Sequence, residues 1–501
     1  MRPTMQRAVA LFLIVLGVPG TNAQDVQPPL DRNEAVQKAW AIVTGALDAP
    51  NLQEQAAAVS ALSAVDVARA VELVERVAQR AEPPLRSVAL WYLPTTARNS
   101  RVLISEALKH SDLEVRRRAI ELIARFRDPE MLPLLEGVVL SGDPDTLEWA
   151  VGSARRLGPA AYGVLLKGVD EGGERTREAA IRGVNWIVAE DDPSRAADNL
   201  EALRRLRPEA VLIKALKDSS TAVRAFAAVL LARLRNPTAA DELVRMSEAS
   251  DPKFGTIVSR HYAIAGLHGL GRPGYLAVLA KALEHLERRV RLDAAMAMQS
   301  FAHPSMEAIW NATWRGTSPD DVRYWAFRGL LAIRDADREL LRAGLKDRDP
   351  NIRLRAAERL LALGPDASAV GTLERLALET PTRLVSLGLL STKGDARRTA
   401  AVARSLLPNA DDLTRMRSGQ LYDSEHRLIV VHTLGVVRDT EAVPALAALF
   451  GPDSTLNSYV ARALVAIGND QAGRALIRMM DSSYSMARIH AAGGVINVYG
   501  R

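Results

Sequence analysis

The sequence predicts an all-α protein, an α–α superhelix of about fourteen helical hairpins, and three observations predict it. A capped amphipathic helix, DPNIRLRAAERLLALG at Asp349 to Gly364, recurs in variant form along nearly the whole chain. The variants are spaced almost evenly. The third observation is what fills them: small and aliphatic residues on one face, with only 5% aromatics, which suits helices packed through Ala, Leu and Val.

In the reference helix Asp349 can accept from the free N–H groups of the first turn, and Pro350 fits the first helical position because it has no N–H to lose. Ile352, Ala356, Leu360 and Leu363 fall on one face of a 3.6-residue period, and Gly364 can end the helix in a left-handed cap. Asp366 to Glu379 supplies a second apolar stripe through Val370, Leu373, Leu376 and Ala377, so the minimal unit is a helical hairpin.

With Arg353 as the frame position, the equivalents are 53, 86, 116, 147, 177, 224, 260, 291, 323, 353, 383, 427, 457 and 488. Eleven of the fourteen are Arg, the exceptions being Gln53, Leu147 and Asn457, where composition alone puts about two basic residues. Three residues on, eleven are Ala, small enough to let helices approach closely. Four residues before the frame stands an acid in eight units, the cap position.

The runs VRRRA (Val115 to Ala119), VRAFA (Val223 to Ala227), VRLDA (Val290 to Ala294) and IRLRA (Ile352 to Ala356) resemble HEAT repeats, above all the short form of about thirty residues found in bacterial proteins and phycobilisome-lyase-type repeats. The resemblance covers residue 50 to the C-terminus. It implies a scaffold and is silent on activity.

Taken in order, Arg2 and Arg7 precede an apolar run, Ala8 to Val18, and Thr21-Asn22-Ala23 offers small residues for cleavage, so residues 1–23 read as a secretory signal peptide. Eleven apolar residues fall short of the about twenty that span a bilayer. An exported chain, periplasmic or secreted, is expected, without membrane insertion once the signal is removed. Removing Arg2 and Arg7 takes the net charge from +6 to +4. Residues 24–50 read as an N-terminal capping helix in which Asp31 and Glu34 have capping-box spacing. Residues 51–501 are the solenoid, interrupted near 190–206, 250–255 and 408–424. The first of these interruptions reads as an extra helix. Insertions in solenoids gather on loop edges and often contribute to binding.

Catalytic chemistry finds little footing. The absence of cysteine excludes disulfides, thiol nucleophiles and thiolate metal sites. GLGRPG at Gly269 to Gly274 fits a dinucleotide fingerprint by letter only, because a helix and not a strand precedes it, and Gly271 sits at the helix-ending place of Gly158, Gly364 and Gly468. Deoxyhypusine hydroxylase, a HEAT-repeat enzyme of similar architecture, holds iron with His-Glu pairs, and no His-Glu dipeptide occurs here. No metal, no cofactor and no enzymatic activity are expected.

The arginine row could hold phosphates, as HEAT-like DNA-repair glycosylases do, but acids recur almost as often, so the row reads as an Asp/Glu–Arg ladder between repeats and no nucleic-acid partner is expected. Trp149, Phe226, Tyr262, Trp325 and Tyr459 recur two residues after the frame, as packing or as a recognition stripe. The exposed face of each second helix should lie one, five and eight residues past the frame. The five-past row, which includes Glu121, Arg182, Arg328, Glu358, His432 and Arg462, mixes both charge signs and small residues, which suits a protein or peptide partner. With Arg415, Arg417 and Tyr422 of the last insertion beside it, this row places the expected partner-binding residues, Arg328, Glu358, Arg415, Arg417, Tyr422, His432 and Arg462, toward the C-terminal end. The function expected is a non-catalytic interaction scaffold working through its concave surface. The alternatives are an enzyme or enzyme accessory with its site at the 408–424 insertion and a basic-groove nucleic-acid binder.

Overall fold

A computed structural model describes residues 31–500 apart from 98, 190–192, 249–259, 317, 335, 410, 411, 414 and 416–423. The expected signal segment 1–23, the 250–255 insertion and most of 408–424, with Arg417 and Tyr422, lie outside the described residues. Those that are described form helices with no strand.

Fourteen two-helix units follow one another. Their second helices are Leu52–Ser63, Pro83–Trp91, Leu113–Phe126, Leu147–Leu157, Glu174–Val188, Thr221–Arg233, Arg260–Gly269, Arg288–Ser300, Asp320–Ile333, Pro350–Ala362, Arg383–Lys393, Ser424–Val436, Ser454–Ile467 and Ser485–Tyr499. Each packs on the second helix of the next unit and on the first helix of its own. The reference unit shows why. Asp349 accepts from the Asn351 N–H at 2.9 Å, Pro350 opens the helix, and Ile352, Ala356 and Leu360 are fully buried, while Gly364 follows the end at φ 137°. Leu363 is only half-buried. The alanine three residues past the frame is inaccessible in ten of its eleven units, Ala56 alone being half-buried.

Among the described residues, frame arginines hold the turn inside six of the units. Arg116, Arg224, Arg291, Arg353, Arg383 and Arg488 each donate to the carbonyls six and five residues earlier, where the first helix ends; for Arg353 these are Asp347 at 3.0 Å and Arg348 at 2.9 Å. Those carbonyls have no intrahelical partner, so the guanidinium closes a gap that each helix end creates. The inter-repeat ladder exists as well, from Arg177 to Asp218, Arg291 to Asp321, Arg323 to Asp347 and Arg353 to Glu379. Only Glu379 among these acids stands four residues before a frame arginine. The other three lie elsewhere in the turn, while cap-position acids such as Asp112 and Asp453 bond backbone N–H groups of their own helix.

The helix expected as an end cap, Arg32–Leu47, has a different role. It packs on the last helix, Ser485–Tyr499, which also packs on Leu52–Ser63, so the fourteenth unit stacks on the first and the circuit closes. Asn497 donates to the Ala64 carbonyl at 2.9 Å, Lys38 pairs with Asp481 at 2.5 Å, and Arg32 stands over the Tyr499 ring. The polar outer face expected of a terminal repeat is therefore used to join the two ends. At Gly493 the seam is so close that an added Cβ would lie 2.9 Å from Ala61 Cβ and 3.0 Å from its carbonyl oxygen.

Two predictions follow from this geometry. Arg353→Ala leaves two turn carbonyls and Glu379 without their donor and should cost about 2–3 kcal/mol in urea unfolding, well above the less than about 1 kcal/mol of an exposed ion pair. Gly493→Val should cost about 1–3 kcal/mol through overpacking at the seam and raise the radius of gyration in small-angle scattering. Scattering unchanged from the parent chain would mean that the seam does not hold the ends together.

Candidate interaction surface

The second helices turn one side toward their own first helices and the opposite side outward from that pairing. On units 2 to 5 this outer side carries tryptophans, with Trp91 48% and Trp149 and Trp186 each 37% exposed. Arginines from neighbouring turns stack on them: Arg118 lies 4.8 Å from the Trp91 ring, Arg117 5.3 Å from Trp149, and Arg155 and Arg182 5.6 and 5.2 Å from Trp186. Arg182 also pairs with Glu148 at 2.5 Å, and Arg118 with Glu114 and Glu121, both at 2.8 Å. The result is one lattice of alternating rings and guanidiniums across four units. Aromatic faces attract guanidinium charge, and holding each arginine flat on a ring reduces the rotamer freedom lost when a partner arrives.

The residues expected from the sequence fall differently. His432 and Arg462 are exposed, as is Arg415. Glu358 is half-buried and bonded to Arg355 at 2.7 Å. Arg328 is a correction. It is 3% exposed, with its guanidinium 4.5 Å from the Trp325 ring and 5.7 Å from Tyr324, so it belongs to the packed interior and not to an open binding face. The helix that bears Arg328, Asp320–Ile333, is also packed on by an additional helix, Pro193–Arg205, which runs between units 5 and 6. The five described residues are not gathered into one site. Arg462 lies at the seam, in a cavity of about 210 Å³ shared with Ala61, His490 and Asn497, where burial pushes the His490 imidazole down to about 4 and its Nε2 meets Ser454 Oγ at 3.0 Å.

Of the recurring aromatics, Phe226 is buried, Tyr262, Trp325 and Tyr459 are half-buried, and Trp149 alone is open. Trp91 and Trp186 have no fixed frame position, which hid them from the repeat alignment. Trp91 stands five residues past its frame arginine, on a row that helical geometry assigns to solvent, where that arithmetic could have found it, whereas Trp186, nine past, lies off those rows. GLGRPG is a helix end: Arg272 N–H reaches the Leu267 carbonyl and Gly271 takes φ 79°. Among the described residues no group of three or more His, Cys, Asp or Glu is placed to hold a metal, and no helix is long and apolar enough to cross a membrane.

Residues 100–185 match the family model for HEAT repeats. No curated protein matches the sequence significantly. Among solved structures, human deoxyhypusine hydroxylase in complex with glycerol aligns at 19% identity over 55% of this chain and 99% of its own, with a TM-score of 0.22. The complex of CpcE and CpcF of phycocyanin lyase from Nostoc sp. PCC7120 aligns at 19% identity over 54% of this chain and 92% of its own, with a TM-score of 0.24. Kap121p bound to Pho4p aligns at 15% identity over 87% and 57%, with a TM-score of 0.31.

Proposed function

Because the chain is built of HEAT repeats, we propose that it is an exported, non-catalytic scaffold that holds a protein partner on the outward side of its second helices, centred on units 2 to 5. The observation that carries this reading is the lattice of exposed tryptophans and stacked arginines. Trp and Arg are the residues on which protein interfaces concentrate binding energy. Glu114, Glu121 and Glu148 are interleaved with the arginines, so the surface has no single-sign field of the kind a polyanion needs. Export rests on the n-region, apolar run and small residues of 1–23.

Affinity capture tests the surface. The mature chain, immobilised, is exposed to the extracytoplasmic fraction of its own cell, beside a variant carrying Trp91→Ala, Trp149→Ala and Trp186→Ala. The specifically retained protein should fall at least tenfold with the variant, while its melting temperature stays within about 3 °C of the parent, as expected of exposed sites in a chain this long. Equal retention would move the site off this lattice, and retention of nucleic acid with a steep salt dependence would favour a polyanion partner instead. Export is tested separately: N-terminal sequencing of the exported protein should begin at Gln24, and a chain that keeps Met1 in the membrane fraction would contradict it.

A further inference from the structure

The additional helix Pro193–Arg205 roofs a cavity of about 250 Å³ formed where several second helices end. Val188, Ala232, Gly269, Phe301 and Ala332 come from five successive units, and Ala196, Ala197 and Leu200 come from the roof. The roof is fastened: Tyr162 donates its hydroxyl to the Asn199 carbonyl at 3.1 Å, Asn199 donates to the Ile187 carbonyl at 2.7 Å, and Leu203 is fully buried.

Inside this mostly apolar wall stands Arg233, 6% exposed, with its guanidinium 5.5 Å from the Phe301 ring. Among the described residues its Nε and Nη2 have no hydrogen-bond partner, and no acidic side chain pairs with it. The repeat supplies an internal comparison. Arg125 occupies the same place, nine residues past the frame arginine, and donates to the Trp91 and Leu93 carbonyls at the end of the preceding unit's second helix. At Arg233 no such carbonyl is in reach of those two nitrogens, and the helix that follows Val188 lies over a site that is left exposed at Arg125. Burial holds the Arg233 pKa below the ordinary guanidinium value, and an arginine keeps its charge in proteins. A buried charge left without a counter-ion is unfavourable, so the cavity is complete only with an anion in it.

The surroundings narrow the anion. One cation is buried; Arg204 and Arg235 also line the cavity but are exposed, and Arg204 already faces Glu201 at 3.5 Å. His303 also lines the cavity, with its Nδ1 turned to Ser305, whose Oγ lies at 2.8 Å and backbone N–H at 3.3 Å, and Gln299 and Ser300 are further polar lining. A single negative charge on a fork-shaped acceptor, carried by an apolar body that fits among alanines, Leu200 and Phe301, matches this wall. We propose that the cavity beneath Pro193–Arg205 is a binding site for a small monocarboxylate with an aliphatic body, whose carboxylate pairs with Arg233. The site is independent of the tryptophan lattice and stands or falls without it.

The experiment uses the full mature chain and four probes: hexanoate, butyrate, hexanamide and inorganic phosphate, followed by titration calorimetry and thermal melting. Hexanoate is expected to bind and raise the melting temperature, butyrate to bind more weakly, and hexanamide, which has the shape without the charge, to bind at least tenfold more weakly than hexanoate. Arg233→Met keeps the volume and removes the charge. It should melt no lower than the parent chain in the absence of ligand and lose hexanoate binding at least tenfold. Arg175→Met, a substitution remote from the cavity lining, should leave hexanoate binding unchanged. Hexanoate binding that is equal in the Arg233→Met variant would overturn the assignment, as would no binding of either carboxylate at 20 mM. Phosphate binding without carboxylate binding would overturn the monocarboxylate and leave an inorganic oxyanion in its place.

Discussion

The bond pattern that recurs most among the described residues of this molecule, in six of its fourteen units, is the guanidinium that reaches back six and five residues to the end of the preceding helix. Hairpins of such short helices have little intrinsic stability in water, and the turn between them exposes carbonyls that no helix can satisfy. The frame arginine supplies donors to two of those carbonyls at once, which fixes the angle between the paired helices. Where Arg is replaced, the same job can be done by a shorter side chain. Asn457, fully buried, donates to the Gly451 carbonyl at 2.8 Å and accepts the Gly451 N–H at 3.0 Å, again six residues back. Thr382 Oγ1 likewise donates to the Leu376 carbonyl at 2.8 Å beside Arg383. In these units a donor holds the turn, and the charge is secondary to it.

With the unit angle fixed, stacking follows from side-chain size. Alanine three residues past the frame leaves room for the next helix, and glycines at Gly435 and Gly493 allow approaches that a Cβ would block. A quasi-one-dimensional stack ordinarily has two ends to protect. Here the first and last units meet through contacts of the same kind as every internal junction, so the ends protect each other. The curvature that makes this possible accumulates from small rotations at each junction. No single pair of residues encodes it.

That is why the sequence revealed the fold and the unit so fully, and the closure and the site so incompletely. The cap at Asp349, the stripe through Ile352, Ala356 and Leu360, and the helix end at Gly271 are local facts, each written within a dozen residues. Positive φ at frame plus eleven was legible from Gly158, Gly271, Gly364 and Gly468, yet Arg127, Arg235 and Arg438 adopt it at the same place without the glycine that would have marked it. The exposed rows of the second helices were also legible, and Trp91 stands on one of them, while Trp149 and Trp186, two and nine residues past the frame, lie off them. Arg328 stands on an exposed row by arithmetic and is nevertheless buried against Trp325 and Tyr324, on a helix that an insertion more than a hundred residues earlier in the chain packs against. Periodicity assigns a face to a helix, and only the tertiary structure says whether the face is still open.

The same insertion shows how a repeat protein acquires a feature its repeat does not contain. A solenoid offers many equivalent positions, and a residue at each of them has one role while the surroundings stay equivalent. Lengthening a loop costs little free energy, so a helix placed after Val188 can change the surroundings of one unit without disturbing its neighbours. Arg125 and Arg233 occupy the same place nine residues past the frame, and one is an exposed donor to two backbone carbonyls while the other is enclosed with unspent donors. The tryptophan lattice arises in the opposite way, by leaving the outward side of units 2 to 5 uncovered. The chain's two distinctive surfaces therefore come from one architectural choice, which is where along the stack the extra helix lies and where it does not.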